Sequence, residues 1–410
     1  DIRVDDSNIK YDLRMNEGPR EGGLLSETDN RKIEDSILNV GQSRSYELRL
    51  WLKEDSTANY NEVFSGKLRI EAIQKKYAVL KGGRGSNSTT DYYAYKDSIT
   101  AIETKEDILV PGSAIESWDV SEAGDGSVIA YLEDDGSGNS TYKLTIGGDG
   151  SLIAPTNCNF LFSNFTSLTS IDLSNLDTSQ TTNMRGMFAS DSNLVALDIS
   201  NFDTSSVTDM ANMFTSCNGL TSLDVSNFNT SNVINMGAMF QSCQSLSDLN
   251  LTSFDTSKVT NMGMMFERCN SLTKLDISNF NTSNVTGGGI SWMFHSCVNL
   301  TELDLSNFNT SKVTTMGGMF HSCSRLTKLN ISNFDTSNVT SLAQMFTNCS
   351  ALEELDLTSF NTSKVTSMSN MFVGTSSLTE IRVSNLWDMS SVTNTDGMFS
   401  GSGVSNVTVV

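Results

Sequence analysis

Residues 220–243 read LTSLDVSNFNTSNVINMGAMFQSC, and residues 300–323 read LTELDLSNFNTSKVTTMGGMFHSC. The same phrase recurs about nine times between Leu161 and Phe399. The Phe of its Met-Phe pair marks the beat, at Phe188, Phe214, Phe240, Phe266, Phe294, Phe320, Phe346, Phe372 and Phe399. The period is 26 residues, with two residues inserted before Phe294 and one before Phe399. A fixed period of about 20–50 residues identifies a stacked array, because one such unit cannot bury its apolar face alone.

Within the row that starts at Leu220, Leu223 and Val225 alternate with Asp224, which predicts a short strand with Asp224 facing outward. Phe228 recurs as Phe202, Phe254, Phe280, Phe308, Phe334 and Phe360, and stacking is expected to make these an aromatic spine. Asn229-Thr230-Ser231 is turn and capping chemistry. Val233, Met236, Met239 and Phe240 follow at spacings of three and four, which predicts a short helix face. The fold class expected is therefore a repeat solenoid, leucine-rich-repeat-like, with a short strand plus a short helix per row, preceded by a β-rich N-terminal domain. A parallel β-helix is the alternative, and the helix-like spacing argues against it.

The flanks divide the rest of the chain. Residues 1–76 read as a β-sandwich-like domain, built on the alternating stretches NIKYDLRM (8–15), YELRLWL (46–52) and FSGKLRIEAI (64–73). Residues 77–106 read as a linker or hairpin loop around GGRGSNSTT (82–90). Residues 107–160 carry alternating runs at 127–132, 142–146 and 151–154, separated by glycine turns, and read as a β-rich cap. The repeat array then spans 161–403. In 404–410, Val404, Val407 and Val409 restate the strand pattern as a terminal strand whose edge is open to association.

The 410 residues carry a net charge of −21, with 18 % charged and 38 % hydrophobic residues. That balance favours a folded chain and makes nucleic acid and anionic membrane poor partners. No apolar run approaches the roughly 20 residues of a membrane span. The chain opens Asp1-Ile2-Arg3, which reads as an N-terminus processed or cut from a longer one.

Six of the seven cysteines, Cys217, Cys243, Cys269, Cys297, Cys323 and Cys349, share one row position, which Asp191 and Thr375 fill in flanking rows. Parallel Cβ vectors in stacked rows have the wrong geometry for disulfides, so buried thiols are expected. His295 and His321 are the only histidines, each two residues before a Cys. Alternation points His outward and Cys inward, which argues against a Cys–His zinc site. No nucleophile–base pair and no phosphate-binding glycine loop is visible, so neither an enzyme nor a cofactor is expected.

The candidate binding residues are the outward strand positions Asp172, Asp198, Asp224, Asp276, Asp304 and Asp356, with Asn250 and Asn330 interspersed. Stacked carboxylates repel. They read either as a face for a basic ligand or calcium, or as a solvated position bonded to neighbouring Ser and Thr hydroxyls. Calcium needs about six to eight oxygens around one ion, and a flat ladder supplies them poorly. A second ladder, Asp177, Asp203, Asn229, Asp255, Asn281, Asn309, Asp335 and Asn361, each followed by Thr-Ser, reads as turn chemistry.

The row motif LTxLDLSNFDTSxVTxMxxMFxSC over about 160–403 resembles the BspA-like leucine-rich repeats of bacterial surface proteins, a family once labelled a Mycoplasma domain of unknown function. The segment from Ser117 to Tyr131, with Ile146-Gly147-Gly148, looks like the cap that commonly precedes such repeats. The YELRLWL and FSGKLRIEAI pattern resembles the β-sandwich of TasA-like and camelysin-like exported Gram-positive proteins. The resemblance implies a bacterial cell-surface or secreted interaction protein, with adhesion to a protein or glycan ligand on a host or neighbouring cell. The alternative is a subunit of an extracellular filament or pilus, assembled by donation of the N-terminal strand through Ile9, Tyr11 and Leu13.

Overall fold

The computed structural model describes residues 77–82 and 91–410, together with the backbone of Ile9–Met15, Arg20–Leu24 and Tyr46–Leu52. The chain divides into two units, Asp1–Lys75 and Lys76–Val410.

In the first unit, β1 (Ile9–Met15), β2 (Arg20–Leu24) and β3 (Tyr46–Leu52) form an antiparallel sheet in the order β2-β1-β3. Tyr11 sits opposite Gly23 on one side and Leu50 on the other. The strand expected over 64–73 lies outside the described residues.

The second unit begins with β4 (Tyr77–Val79), a 3-10 turn (Tyr92–Tyr95) and β5 (Ile99–Lys105). The stretch read as a linker thus contributes two strands. Ile99 and Ile102 are buried, and a short β-branched run between polar residues carried too weak a pattern to read. Residues 107–160 contain β6 (Glu116–Asp119), outside the alternating runs, and β7 (Val128–Asp134), β8 (Tyr142–Gly148) and β9 (Ser151–Ile153) on them. The first rows supply β10 (Ser170–Asp172) and β11 (Leu176–Asp177). They extend two sheets in the orders β10-β5-β8-β7-β6 and β11-β9-β4. Parallel pairing of β10 on β5, and of β11 on β9, seats the repeats on this β-rich beginning.

Later strands are short: β12 (Glu302–Asp304) on β13 (Lys328–Asn330), then β14 (Glu354–Leu357), β15 (Glu380–Val383) and β16 (Thr408–Val409). Every one of these pairings is parallel. Single parallel bridges at a second position, Asn157 to Asn183 to Asp209 to Asn235 to Asn261, join the earlier rows. One hydrophobic core runs without interruption from Ala78 to Met398.

The expected fold class, a leucine-rich-repeat-like solenoid with a strand and a helix in each row, is corrected. The rows carry no helix, and the strands gather into several small sheets. The Val-Met-Met-Phe segment shows why. The N–H groups of Met210, Asn212, Phe214 and Ser216 donate to the next row, at Asn235 O, Gly237 O, Met239 O and Gln241 O over 2.7–3.0 Å. The alternate residues Met213, Thr215 and Cys217 bond back three positions, to Met210, Asn212 and Phe214. Asn212 and Ser216 have φ of 59° and 61°, and a left-handed residue every fourth position interrupts a right-handed helix. Consecutive tight turns bury residues at spacings of three and four as a helix does, so the periodicity was met by a different backbone.

The aromatic spine also lies elsewhere. The Met-Phe phenylalanines stack from Phe188 through Phe214, Phe240, Phe266, Phe294, Phe320, Phe346 and Phe372 to Phe399, with Phe162 of Leu161-Phe162 heading the column, and ring centroids are 5.4–6.1 Å apart. In the Phe228 column the rings are buried, but the stacked pair within the column is Phe334 on Phe360, at 6.4 Å, while Phe202 stacks across on Phe188 at 6.2 Å. The six row cysteines are buried free thiols, and each Sγ donates to a phenylalanine carbonyl of the preceding row, as Cys243 does to Phe214 O at 3.2 Å.

Candidate interaction face

Leu223 and Val225 point into the core, so the residue between them is forced outward. Asp172, Asp198, Asp224, Asp276, Asp304 and Asp356 are all exposed, with Asn250 and Asn330 in the same column. Each turns one oxygen onto the backbone N–H two residues ahead. Asp198 accepts from Ser200 N at 3.0 Å, Asp224 from Ser226 N at 2.9 Å and Asp304 from Ser306 N at 2.9 Å. Asp172, Asp276 and Asp356 do the same with Ser174, Ser278 and Thr358, each at 3.0 Å. The hydroxyl and backbone N–H of the following Ser or Thr hold the carboxyls of Asp198, Asp224, Asp276, Asp304 and Asp356 below the usual carboxylate range. These residues therefore shape the chain's exit from the strand while staying ionised at the surface. An amide oxygen makes the same bond, as Asn250 does to Thr252 N at 3.1 Å, which accounts for the interspersed asparagines.

Basic side chains frame the column at both ends. Asp172 lies beside Glu103, whose carboxylate meets Lys105 at 2.8 Å and Lys143 at 2.6 Å. At the far end Arg382 approaches Glu354, Glu380 and Asp356 at 3.7–3.9 Å. Glu302 pairs in register with Lys328 on the adjoining column. Among the described residues, the column members Asp198, Asp224, Asp276 and Asp304 make no ion pair.

The second ladder makes the same kind of turn, as Asp203 does to Ser205 N and Asn281 to Ser283 N. The threonine that follows it in each row was missed by sequence reasoning. Thr178, Thr204, Thr230, Thr256, Thr282, Thr310, Thr336 and Thr362 are buried, and each hydroxyl donates to a carbonyl of the next row. A signal was present: in these eight rows the turn residue varies between Asp and Asn, whereas the Thr does not change.

The proposed assembly residues Ile9, Tyr11 and Leu13 lie on β1, opposite Leu52, Leu50 and Leu48 of β3. The histidines share a surface column with Gln241 and Glu267, where His295 Nδ1 meets Glu267 Oε1 at 3.0 Å and Gln241 Nε2 donates to Glu267 Oε2 at 2.6 Å. Cys297 and Cys323 turn the other way, toward Phe266 O and Phe294 O, so Cys and His do not converge. Trp292, in the row with the insertion, has a φ of 59° and lies against Gly318 of the next row, where an added Cβ would fall 2.3 Å from its ring. Among the described residues no three His, Cys, Asp or Glu side chains are placed to hold a metal ion. Among them, too, no helix is long and apolar enough to cross a membrane.

A β-rich chain whose rows repeat, bond and bury their side chains in register is a repeat protein. It belongs to the family described as "Mycoplasma protein of unknown function, DUF285", whose model matches in three tandem stretches, 156–250, 224–289 and 288–409. A search of the curated proteins found no match, and a search of the solved structures found none.

Proposed function

We propose that this chain is a bacterial cell-surface or secreted interaction protein of the BspA-like kind, and that the column from Asp198 to Asp304 receives a basic ligand. The observation that carries the reading is the exposure of these carboxylates, fixed by their turns and without an ion pair among the described residues, between the lysines at one end and Arg382 at the other. A fixed row of like charge costs electrostatic energy unless a counter-charge meets it. A protein with a basic strand or loop supplies that counter-charge, and adhesion to a host or neighbouring cell is the setting in which such a face would act.

The test is binding of the full chain to an immobilised lysine-rich peptide at two salt concentrations. Wild type should bind with a strong salt dependence, and Asp224→Lys with Asp304→Lys should weaken it at least tenfold. Equal binding by wild type and the double variant would remove the acidic column as the ligand face. Filament assembly by strand donation would require β1 to leave both of its neighbours, since it pairs with β2 and β3 in its own chain.

A further inference from the structure

We propose that His295 and His321 form an open two-imidazole site for a divalent transition-metal ion, of the copper, nickel or zinc class. The two residues are 26 positions apart, the row period, so stacking places one ring on the other. Their centroids are 4.8 Å apart with the rings nearly perpendicular, at 79°. A bound metal lies about 2.1 Å from each imidazole nitrogen, so two rings sharing one ion have centroids several ångströms apart, and 4.8 Å falls within that span. The backbones beneath are locked, with Ser296 N donating to His321 O at 2.7 Å.

The outer hydrogen bonds are those of a ligating histidine. His295 Nδ1 meets Glu267 Oε1 at 3.0 Å, and Glu267 is in turn held by Gln241. An ionised carboxylate only accepts, so in the neutral imidazole the His295 proton sits on Nδ1 and Nε2 carries the lone pair a metal would take. His321 Nδ1 is engaged by Ser322 Oγ at 2.9 Å, and because a hydroxyl either donates or accepts, a metal on Nε2 would select the tautomer in which Nδ1 donates to it. The carboxylate behind His295 sets its tautomer and raises its basicity as a ligand. Imidazole selects copper, nickel and zinc over calcium and magnesium, which require oxygen donors. Water, or a donor from a bound partner, completes the coordination.

Trp292 supplies the readout. Its ring lies 5.0 Å from His295 and 5.6 Å from His321, close enough for bound copper to quench its fluorescence. The full chain is titrated with Cu²⁺ alone by fluorescence and with Zn²⁺ alone by calorimetry. The expected result is saturable binding of one equivalent. His295→Ala and His321→Ala should each weaken it at least tenfold, and Glu267→Gln about tenfold. Trp292→Phe should keep the calorimetric binding and lose most of the quench, which separates loss of ligands from loss of fold. Unchanged affinity in the double variant His295→Ala/His321→Ala would overturn the site. So would quenching that never saturates, which marks an adventitious ion only.

Discussion

The hydroxyl of Thr256 donates to Asn281 O at 3.0 Å and accepts from Asn281 N at 2.7 Å, so one buried side chain satisfies both backbone groups of a residue in the next row. The same double bond joins Thr178 to Asp203, Thr204 to Asn229 and Thr310 to Asp335. It replaces a backbone ladder where the chain is turning and no strand can form.

Thr256→Val keeps the shape and removes both bonds. A buried backbone group left without a partner costs about 1–3 kcal/mol, and Asn281 lies partly at the surface, so a loss of about 1–3 kcal/mol in all is expected. Thr256→Ser keeps the hydroxyl and should lose about 1 kcal/mol for its missing methyl. Urea denaturation of the two variants decides the matter. Equal losses would mean that the hydroxyl contributes nothing beyond packing.

Phe240 lies between Phe214 at 5.7 Å and Phe266 at 5.9 Å, in near-parallel stacks. Phe240→Ala should cost about 3–5 kcal/mol, and Phe240→Leu about 1–3 kcal/mol through the two lost ring contacts. Rows touch chiefly their neighbours, so weakening a middle row should also broaden the thermal transition as the two halves uncouple. A melt shifted without broadening would argue that the rows are coupled by more than this spine.

Asp191 occupies the cysteine position of its row and is fully buried. One oxygen accepts from Phe165 N at 2.8 Å, and among the described residues Oδ2 has no hydrogen-bond partner. Burial pushes this carboxyl well above its ordinary range, against the lowering effect of the Phe165 N–H. The folded chain therefore keeps a proton that the unfolded chain releases near pH 4. Stability falls as pH rises from there through the folded pKa, because the native state binds more protons over that window. Asp191→Asn removes the titration. Denaturation between pH 4.5 and 8 should show the variant gaining on wild type as pH rises, and a constant gap would refute the assignment.

The seven thiols are buried and unpaired. Burial pushes those of Cys158, Cys243 and Cys349 up to about 12, far from the thiolate form that reacts. An aromatic disulfide reagent should label none of the seven in the native chain at pH 8 and all of them after unfolding. Rapid native labelling of even one would place that row in an open conformation.

Some of the architecture was written in the residue order. Leu223 and Val225 flank Asp224 as strand alternation requires, so the inward and outward sides of the row were legible without coordinates. The 26-residue period carried the stacking, and an identical row position for six cysteines carried their burial. The acidic column and its asparagine exceptions followed from the same bookkeeping of positions.

Other features depended on partners 25 or 26 residues away, which no local pattern reports. Met210, Met213 and Phe214 have the spacing of a helix, yet their backbone turns because alternate N–H groups find acceptors in the next row. The role of Thr256 depended on Asn281 lying within hydrogen-bond distance, and that of Glu267 on His295. Sequence alone determined that these rows repeat and which side of each faces the core, because burial depends on the order of apolar and polar residues. The tertiary structure decided how the backbone closes each row and which side chains join one row to the next, because those bonds exist only once the rows are stacked.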